Sequence, residues 1–186
     1  MGKVPIVSVV GKSGSGKTTF LEKLLPELKR RGYRVATVKH DTHGFDIDHP
    51  GKDTWRHAQA GADAVVISSP RRMALLQRLD GEMPLDEIAG YLPGVDIIIT
   101  EGYKRGDKPK IEVSRRARST DLICDPEELI AIVADQAFPL NVPHFALEDA
   151  TGVANLLEEK FLRPPDSRST SDGSAKRAKP RSLKRP

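Results

Sequence analysis

The sequence is poor in cysteine, in aromatic residues and in long apolar runs. A single cysteine, Cys124, occurs in 186 residues, so no internal disulfide can form and nothing demands an oxidising compartment. Aromatic residues make up only 5% of the chain, and none stands among the basic residues near its C-terminus. That removes base stacking as a route to nucleic-acid recognition there. Apolar runs such as 64–67 and 97–99 fall far short of the roughly 20 residues a membrane helix needs, so no membrane role is expected. The first apolar stretch ends at Val10 in a glycine-rich loop without a cleavage site, and Ile6 stands where a myristoylation signal places Ser or Thr. The expectation is a soluble, cytoplasmic protein built on one ordinary domain.

Charge is unevenly spread. The net charge is +4, yet residues 164–186 alone carry +5 and residues 1–163 carry −1. The last 23 residues are mostly Pro, Ser, Lys and Arg, with Leu183 as the one large apolar side chain. Such a segment cannot bury enough surface to offset its ordering entropy. It is expected to be a basic, disordered tail following a domain at 1–163. The nearly neutral body argues against a nucleic-acid protein, which would spread basic charge along a groove. No specific nucleic-acid partner is expected.

Residues 4–162 alternate short β-branched runs with helical patterns. Val4–Val10 reads as a buried strand, followed by a helix over Thr18–Arg31 with Phe20, Leu21, Leu24, Leu25 and Leu28 on one face and Gly32 as its stop. Pro26 should kink or shorten that helix. Arg34–Lys39 is a second strand, and Asp53 reads as the N-cap of a short helix ending at Gly61. Ala64–Ser68, Val95–Thr100, Ile111–Val113 and Leu129–Ala134 read as strands, Pro84–Leu92 and Thr151–Leu162 as helices, and Arg72–Leu79 fits either. Strands separated by helices imply an α/β fold of three layers, a mostly parallel twisted sheet with helices on both faces.

Gly11-Lys12-Ser13-Gly14-Ser15-Gly16-Lys17-Thr18 fits G-x-x-x-x-G-K-[ST] at every defined position. A chance match in a chain this long has odds below about 1%. An apolar strand precedes it and an amphipathic helix follows, which is the P-loop NTPase arrangement. Glycines let the backbone turn tightly, so that successive N–H groups face phosphate oxygens, and the positive end of the helix supports the same anion. Lys17 would reach the β- and γ-phosphates, Thr18 would ligate Mg²⁺, and Thr19 continues the phosphate-binding run. A hydrated Mg²⁺ also needs a carboxylate at the C-terminal end of a neighbouring strand. Glu101, after Ile97–Thr100, stands there; a plain strand-end charge is the alternative. Asp96, at the other end of that strand, reads as a turn residue. The guanine motif N-K-x-D is absent, but Leu129–Ala134 ends in Asp135, whose carboxylate could accept guanine N1–H and N2–H₂ together. A surface Asp without a role is the other reading.

Between strand two and the next helix, Lys39-His40-Asp41-Thr42-His43-Gly44-Phe45-Asp46-Ile47-Asp48-His49-Pro50-Gly51-Lys52-Asp53 runs on through Arg56 to Ala60-Gly61-Ala62. With the phosphate loop and Thr100-Glu101-Gly102-Tyr103-Lys104, this segment closely resembles the family of molybdopterin-guanine dinucleotide biosynthesis protein B, over about residues 4–160. The resemblance implies a homodimer that binds GTP with Mg²⁺ and hydrolyses it slowly. It also implies a role beside the guanylyltransferase that joins GMP to molybdopterin, with molybdopterin itself as a candidate ligand. Carried onto this chain, it gives Lys17, Asp48 and Glu101 as candidate catalytic residues, and Thr18, Asp41 and Glu101 as candidate metal residues. His40–Lys52 would be a nucleotide-responsive switch. Lys52 or Arg56 could meet a second phosphate.

The segment's own chemistry leaves a transition-metal site open, since His40, His43, His49 and His57 stand among Asp41, Asp46, Asp48 and Asp53. A polar loop beside phosphate and Mg²⁺ explains the same residues. The rival function is a P-loop small-molecule kinase using ATP. Its lid would have to be Lys104–Lys108 or Arg115-Arg116-Ala117-Arg118, and neither carries a defining motif.

Overall fold

A computed structural model describes residues 3–42 and 44–162. The expected basic tail at 164–186 lies outside the described residues. Among the described residues, eight strands and four helices follow in the order β1 (Ile6–Val10), α1 (Lys17–Arg30), β2 (Val35–Lys39), α2 (Asp53–Gln59), β3 (Ala64–Ser68), β4 (Met73–Gln77), α3 (Leu85–Gly90), β5 (Ile97–Glu101), β6 (Lys110–Ser114), β7 (Leu129–Ala134), β8 (His144–Phe145) and α4 (Ala150–Phe161). A 3₁₀ turn, Pro126–Glu128, leads into β7.

Six strands form one sheet in the order β2-β5-β1-β6-β7-β8, and every neighbouring pair is parallel. Strands β1 and β5 are runs of Val and Ile because both their faces are covered: Val7, Val9, Val10, Ile97 and Ile98 are fully buried. The chain leaves β1 with β5 on one side and β6 on the other. Strand order therefore reverses at the carboxyl end of β1, which is where open α/β sheets bind ligands.

One face of the sheet carries the main core. There Phe20, Leu21, Leu24 and Leu28 of α1 and Val153, Ala154, Leu156 and Leu157 of α4 pack with Val7, Val9, Ile97, Ile99, Ile111 and Val133. Each of the Val, Leu, Ile and Phe side chains, fully buried, contributes about 1.5–3 kcal/mol. Arg31 joins the two helices: it donates to Glu27, Asn155, Glu158 and the Thr151 carbonyl. Gly32, at φ 88°, ends α1. Its N–H bonds the Lys29 carbonyl, and the N–H of fully buried Tyr33 bonds that of Leu28, the paired bonds of a Schellman stop. A smaller cluster of Val10, Cys124, Leu129 and Ile132 is packed by Leu122, Phe138, Leu140 and Val142.

Three local expectations change. Helix α1 runs as one segment through Pro26. Asp53 is the first residue of α2, with Lys52 as its N-cap. Ala64–Ser68 does not join the parallel sheet; β3 pairs antiparallel with β4 as a separate hairpin, Val66 opposite Leu75 and Ser68 opposite Met73. A five-residue apolar run does not reveal which sheet it enters.

Candidate functional site

The loop between β1 and α1 has the backbone its glycines permit. Gly11, Gly14 and Gly16 have φ of 143°, 72° and 96°, values that side-chain-bearing residues adopt rarely. Gly16 is the left-handed N-cap of α1. The Ser15 N–H closes the turn on the Lys12 carbonyl at 3.1 Å, and the Phe20 N–H begins the helix on Gly16 at 2.8 Å. At Gly11 there is also no room for a side chain: a Cβ would fall 2.3 Å from the Val113 carbonyl oxygen. The loop therefore lies directly on β6. Ser13 is exposed at its tip, whereas Ser15 is buried with a hydroxyl that meets no partner.

Lys17, Thr18 and Glu101 come together at the carboxyl ends of β1 and β5. Val9 pairs with Glu101, so the acid sits one strand over from the loop. The Thr18 hydroxyl lies 2.9 and 3.1 Å from the two Glu101 carboxylate oxygens. Lys17 Nζ donates to the Gly11 and Lys12 carbonyls, both at 3.0 Å. Burial pulls its ammonium below the ordinary lysine range; Glu101 opposes that shift and Lys39 adds to it. Lys39 lies opposite Glu101 in the β2–β5 register. Thr18 and Thr19 occupy the exposed side of the first helical turn, where backbone N–H groups have no intrahelical acceptor.

The donors fit the groups that the sequence suggests. A hydroxyl and a carboxylate, both hard oxygen ligands, suit Mg²⁺ with its retained waters, and an ammonium at the mouth of a glycine loop suits a polyphosphate. Bound there, the cation would neutralise phosphate charge.

The polar segment after β2 is held at its root. The His40 N–H bonds the Glu101 carbonyl at 2.9 Å, its ring stacks on Tyr103 at 4.6 Å, and its Nε2 lies 3.0 Å from Glu82. Tyr103 has φ 55° and follows Gly102, where a Cβ would press within 3.1 Å of His40 Cβ. Burial raises the Tyr103 phenol above its usual range. Asp41 follows, exposed, one residue past this contact. Asp48 stands farther along: its Oδ1 accepts the His49 N–H at 2.8 Å and the Thr54 hydroxyl at 3.1 Å, and its Oδ2 is buried without a partner. Asp48 therefore shapes the entrance to α2 and borders a cavity of about 1020 Å³ between the β3–β4 hairpin and the body. Among the described residues no three His, Cys, Asp or Glu side chains group around a point that could hold a metal ion. Asp96 joins the opposite ends of β2 and β5, accepting the Arg34 N–H at 2.8 Å.

Asp135 follows β7 and borders a second cavity, about 610 Å³, with Gln136, Phe138, His144 and Phe145. Its Oδ1 accepts the Arg116 N–H at 2.7 Å, so part of its capacity braces the loop after β6. That loop carries Arg115, Arg116 and Arg118, which the sequence shows as a lid-like stretch without a motif. In the fold two of them touch the phosphate loop: a Cβ on Gly14 would lie 2.8 Å from Arg118 Nε, and one on Gly16 3.4 Å from an Arg115 terminal nitrogen. Only the proximity of β6 to β1 reveals them.

Comparison with known proteins agrees with this arrangement. The family described as Molybdopterin guanine dinucleotide synthesis protein B matches residues 6–135. A molybdopterin-guanine dinucleotide biosynthesis adapter protein of Escherichia coli is 34% identical over 163 residues, covering 84% of this chain and 93% of that protein. Its counterpart in Haemophilus influenzae is 34% identical over 148 residues, covering 78% and 82%. The crystal structure of Bacillus subtilis MobB superposes with a TM-score of 0.68 at 29% identity, over 83% of this chain and 97% of that one. The fold, the phosphate loop and a match over residues 6–135 agree, and the chain belongs to the family of molybdopterin guanine dinucleotide synthesis protein B.

Proposed function

We propose that this protein binds GTP with Mg²⁺ in the Gly11–Thr18 loop and acts in the cytoplasm as an adapter in molybdopterin guanine dinucleotide biosynthesis. In that role it assists the guanylyltransferase that attaches GMP to molybdopterin. The observation that carries the nucleotide reading is the convergence of Lys17, Thr18 and Glu101 at the point where strand order reverses. The family and its relatives, named as biosynthesis adapter proteins, support the pathway.

In this reading Gly11, Ser13, Gly14, Ser15 and Gly16 wrap the phosphates with backbone N–H groups, and Thr19 extends the contact. Lys17 exchanges its loop carbonyls for phosphate oxygens. Thr18 and Glu101 hold Mg²⁺ and its waters, with Asp41 close to the same strand ends. Asp48 is the candidate switching contact, its unpartnered oxygen available when the segment rearranges. Asp135 reads the base from the rim of the 610 Å³ cavity with the carboxylate oxygen that Arg116 leaves free. Hydrolysis is slow, because positioning and charge neutralisation are all these residues supply.

The working form is a homodimer. Val66, Ile67 and Met73 of the hairpin, with Phe45 and Ile47 nearby, are more than half exposed. A lone two-stranded hairpin is marginal in water, and an apolar patch of this kind marks an interface.

Calorimetry with GTP and ATP in Mg²⁺, with Lys17→Ala as control, tests the nucleotide, and a pull-down with the purified guanylyltransferase tests the partner. GTP preference lost in the variant is the expected result. Preference for ATP would overturn the reading and favour a kinase.

A further inference from the structure

We infer that Arg115 and Arg118 form a guanidinium clamp, supplied by the same chain, on the polyphosphate held in the Gly11–Thr18 loop. The inference rests on the nucleotide reading above and adds the residues that complete its charge. Three observations carry it.

The first is position. Arg118 Nε and its guanidinium carbon lie 2.8 and 3.1 Å from where a Gly14 Cβ would be, and Arg115 approaches Gly16 at 3.4 Å. These are two of the three loop glycines with positive φ, so both guanidinium groups rest on the segment that would receive the anion.

The second is an unmet bond. Arg115 Nε is buried and has no hydrogen-bond partner, and the buried Ser15 hydroxyl beside Gly11 has none either. A buried N–H of a charged group without an acceptor bears the full desolvation penalty of that group. A fold keeps such a donor where a ligand supplies the acceptor. Phosphate oxygens match a guanidinium in charge and in its two-pronged geometry.

The third is that the loop is braced, so its arginines are already positioned. Asp135 holds the Arg116 N–H at 2.7 Å, and Gln136 donates to the Ser119 carbonyl at 2.7 Å and to the Ser114 hydroxyl at 3.3 Å. Lys12 reaches across from the phosphate loop to the Ser119 hydroxyl. Behind them Glu112, 1% exposed, accepts the Ile123 and Cys124 N–H groups at 2.8 and 3.0 Å. Six side chains thus fix a short loop against the phosphate site, and ordering entropy there is spent before any ligand arrives. Glu101 stands close enough to Lys17 at the loop's mouth to offset part of its charge. A triphosphate carries about four negative charges, and the guanidinium pair would add to what Lys17 and Mg²⁺ offset.

The test is calorimetry on the full chain with Mg²⁺ and three probes: GTP, inorganic tripolyphosphate and guanosine. Arg115→Ala and Arg118→Ala should each weaken GTP and tripolyphosphate by about 10- to 100-fold, the range for a charge-assisted hydrogen bond. Guanosine binding should not change. Arg115→Lys should remain at least about fivefold weaker than wild type, because an ammonium lacks the fork. Arg116→Ala, which removes a neighbouring exposed charge, should change GTP affinity less than about twofold. Arg118 is exposed, so its replacement keeps the fold even if Arg115→Ala melts early. Equal losses for all three arginines would overturn the clamp and leave a general electrostatic effect. Unchanged affinity in both Arg115 and Arg118 variants, with binding still lost in Lys17→Ala, would overturn the clamp and keep the nucleotide site. No binding of GTP by the wild type would overturn the nucleotide reading itself.

Discussion

Replacing Gly11 by alanine separates two reasons for glycine in the phosphate loop. At φ 143° a Cβ meets backbone strain of about 1–3 kcal/mol. It also falls 2.3 Å from the Val113 carbonyl oxygen, where contacts below 3.0 Å do not persist. Relief requires the two backbones to part by about 0.7 Å. Neither can move alone, because Val10 is paired to Glu112 and Val113 to Val133. Crowding a packed interior adds roughly 1–3 kcal/mol, giving a total loss of about 2–6 kcal/mol. At about 2–4 °C per kcal/mol for a domain of this size, the melting temperature should drop by roughly 5–20 °C. Gly51→Ala is the comparison: φ is 85°, but no atom lies within 4 Å of the added carbon, so only the strain term applies. Thermal and urea unfolding followed by circular dichroism measure both. Equal destabilisation of the two variants would refute the argument that Val113 excludes a side chain at Gly11.

Three further outcomes follow from the same geometry. Glu101→Gln keeps a hydrogen-bond partner for Thr18 but removes the charge, so Mg²⁺ should strengthen GTP binding at least about tenfold less than in wild type; calorimetry with and without Mg²⁺ checks this, and an unchanged Mg²⁺ effect refutes it. Burial, with Glu112 close by, pushes the Cys124 thiol up to about 12, so at pH 8 it should react with an aromatic disulfide on the order of a thousandfold more slowly in native protein than in denaturant; comparable rates would refute the buried placement. Hydrogen bonds from Arg30 and Arg31 hold the Glu27 carboxyl at about 2. Because that pKa is depressed in the folded state, its stabilising contribution is full above the ordinary carboxylate range and fades as pH falls through it toward 2; the melting-temperature gap between wild type and Glu27→Gln should close over that interval, and a constant gap would refute the linkage.

Legibility in the sequence followed the range of the interactions. The glycine loop is local: its glycines, lysine and threonine lie within eight consecutive residues, and the fold sets them between a strand and a helix as the spacing implies. Glu101 was readable because a buried strand must end where its polar residues begin. The hairpin was not, since Ala64–Ser68 has the same β-branched composition whether it enters a parallel sheet or pairs with Met73–Gln77. Arg115 and Arg118 lie about a hundred residues from the loop they touch, and only the β1–β6 pairing joins them. Asp135 was visible as a strand-end acid, but its bond to the Arg116 N–H depends on β6 and β7 being neighbours.

The arrangement at the loop also bears on how tightly a nucleotide can bind. Lys17 already donates to the Gly11 and Lys12 carbonyls, and the Thr18 hydroxyl already meets Glu101. Binding therefore exchanges bonds at these two residues, and exchange yields only about 0.5–1.5 kcal/mol for a neutral pair and more when a charge is gained. Groups with no present partner are different. The Ser15 hydroxyl and Arg115 Nε give up nothing when an acceptor arrives, so each new bond relieves a cost that the folded chain already bears. Affinity should accordingly depend on the Ser15 hydroxyl, and on Arg115 more than its distance in sequence from Lys17 suggests. On the proposed nucleotide reading, Lys17 would set which anion is accepted, while the braced loop after β6 would govern how firmly it is kept.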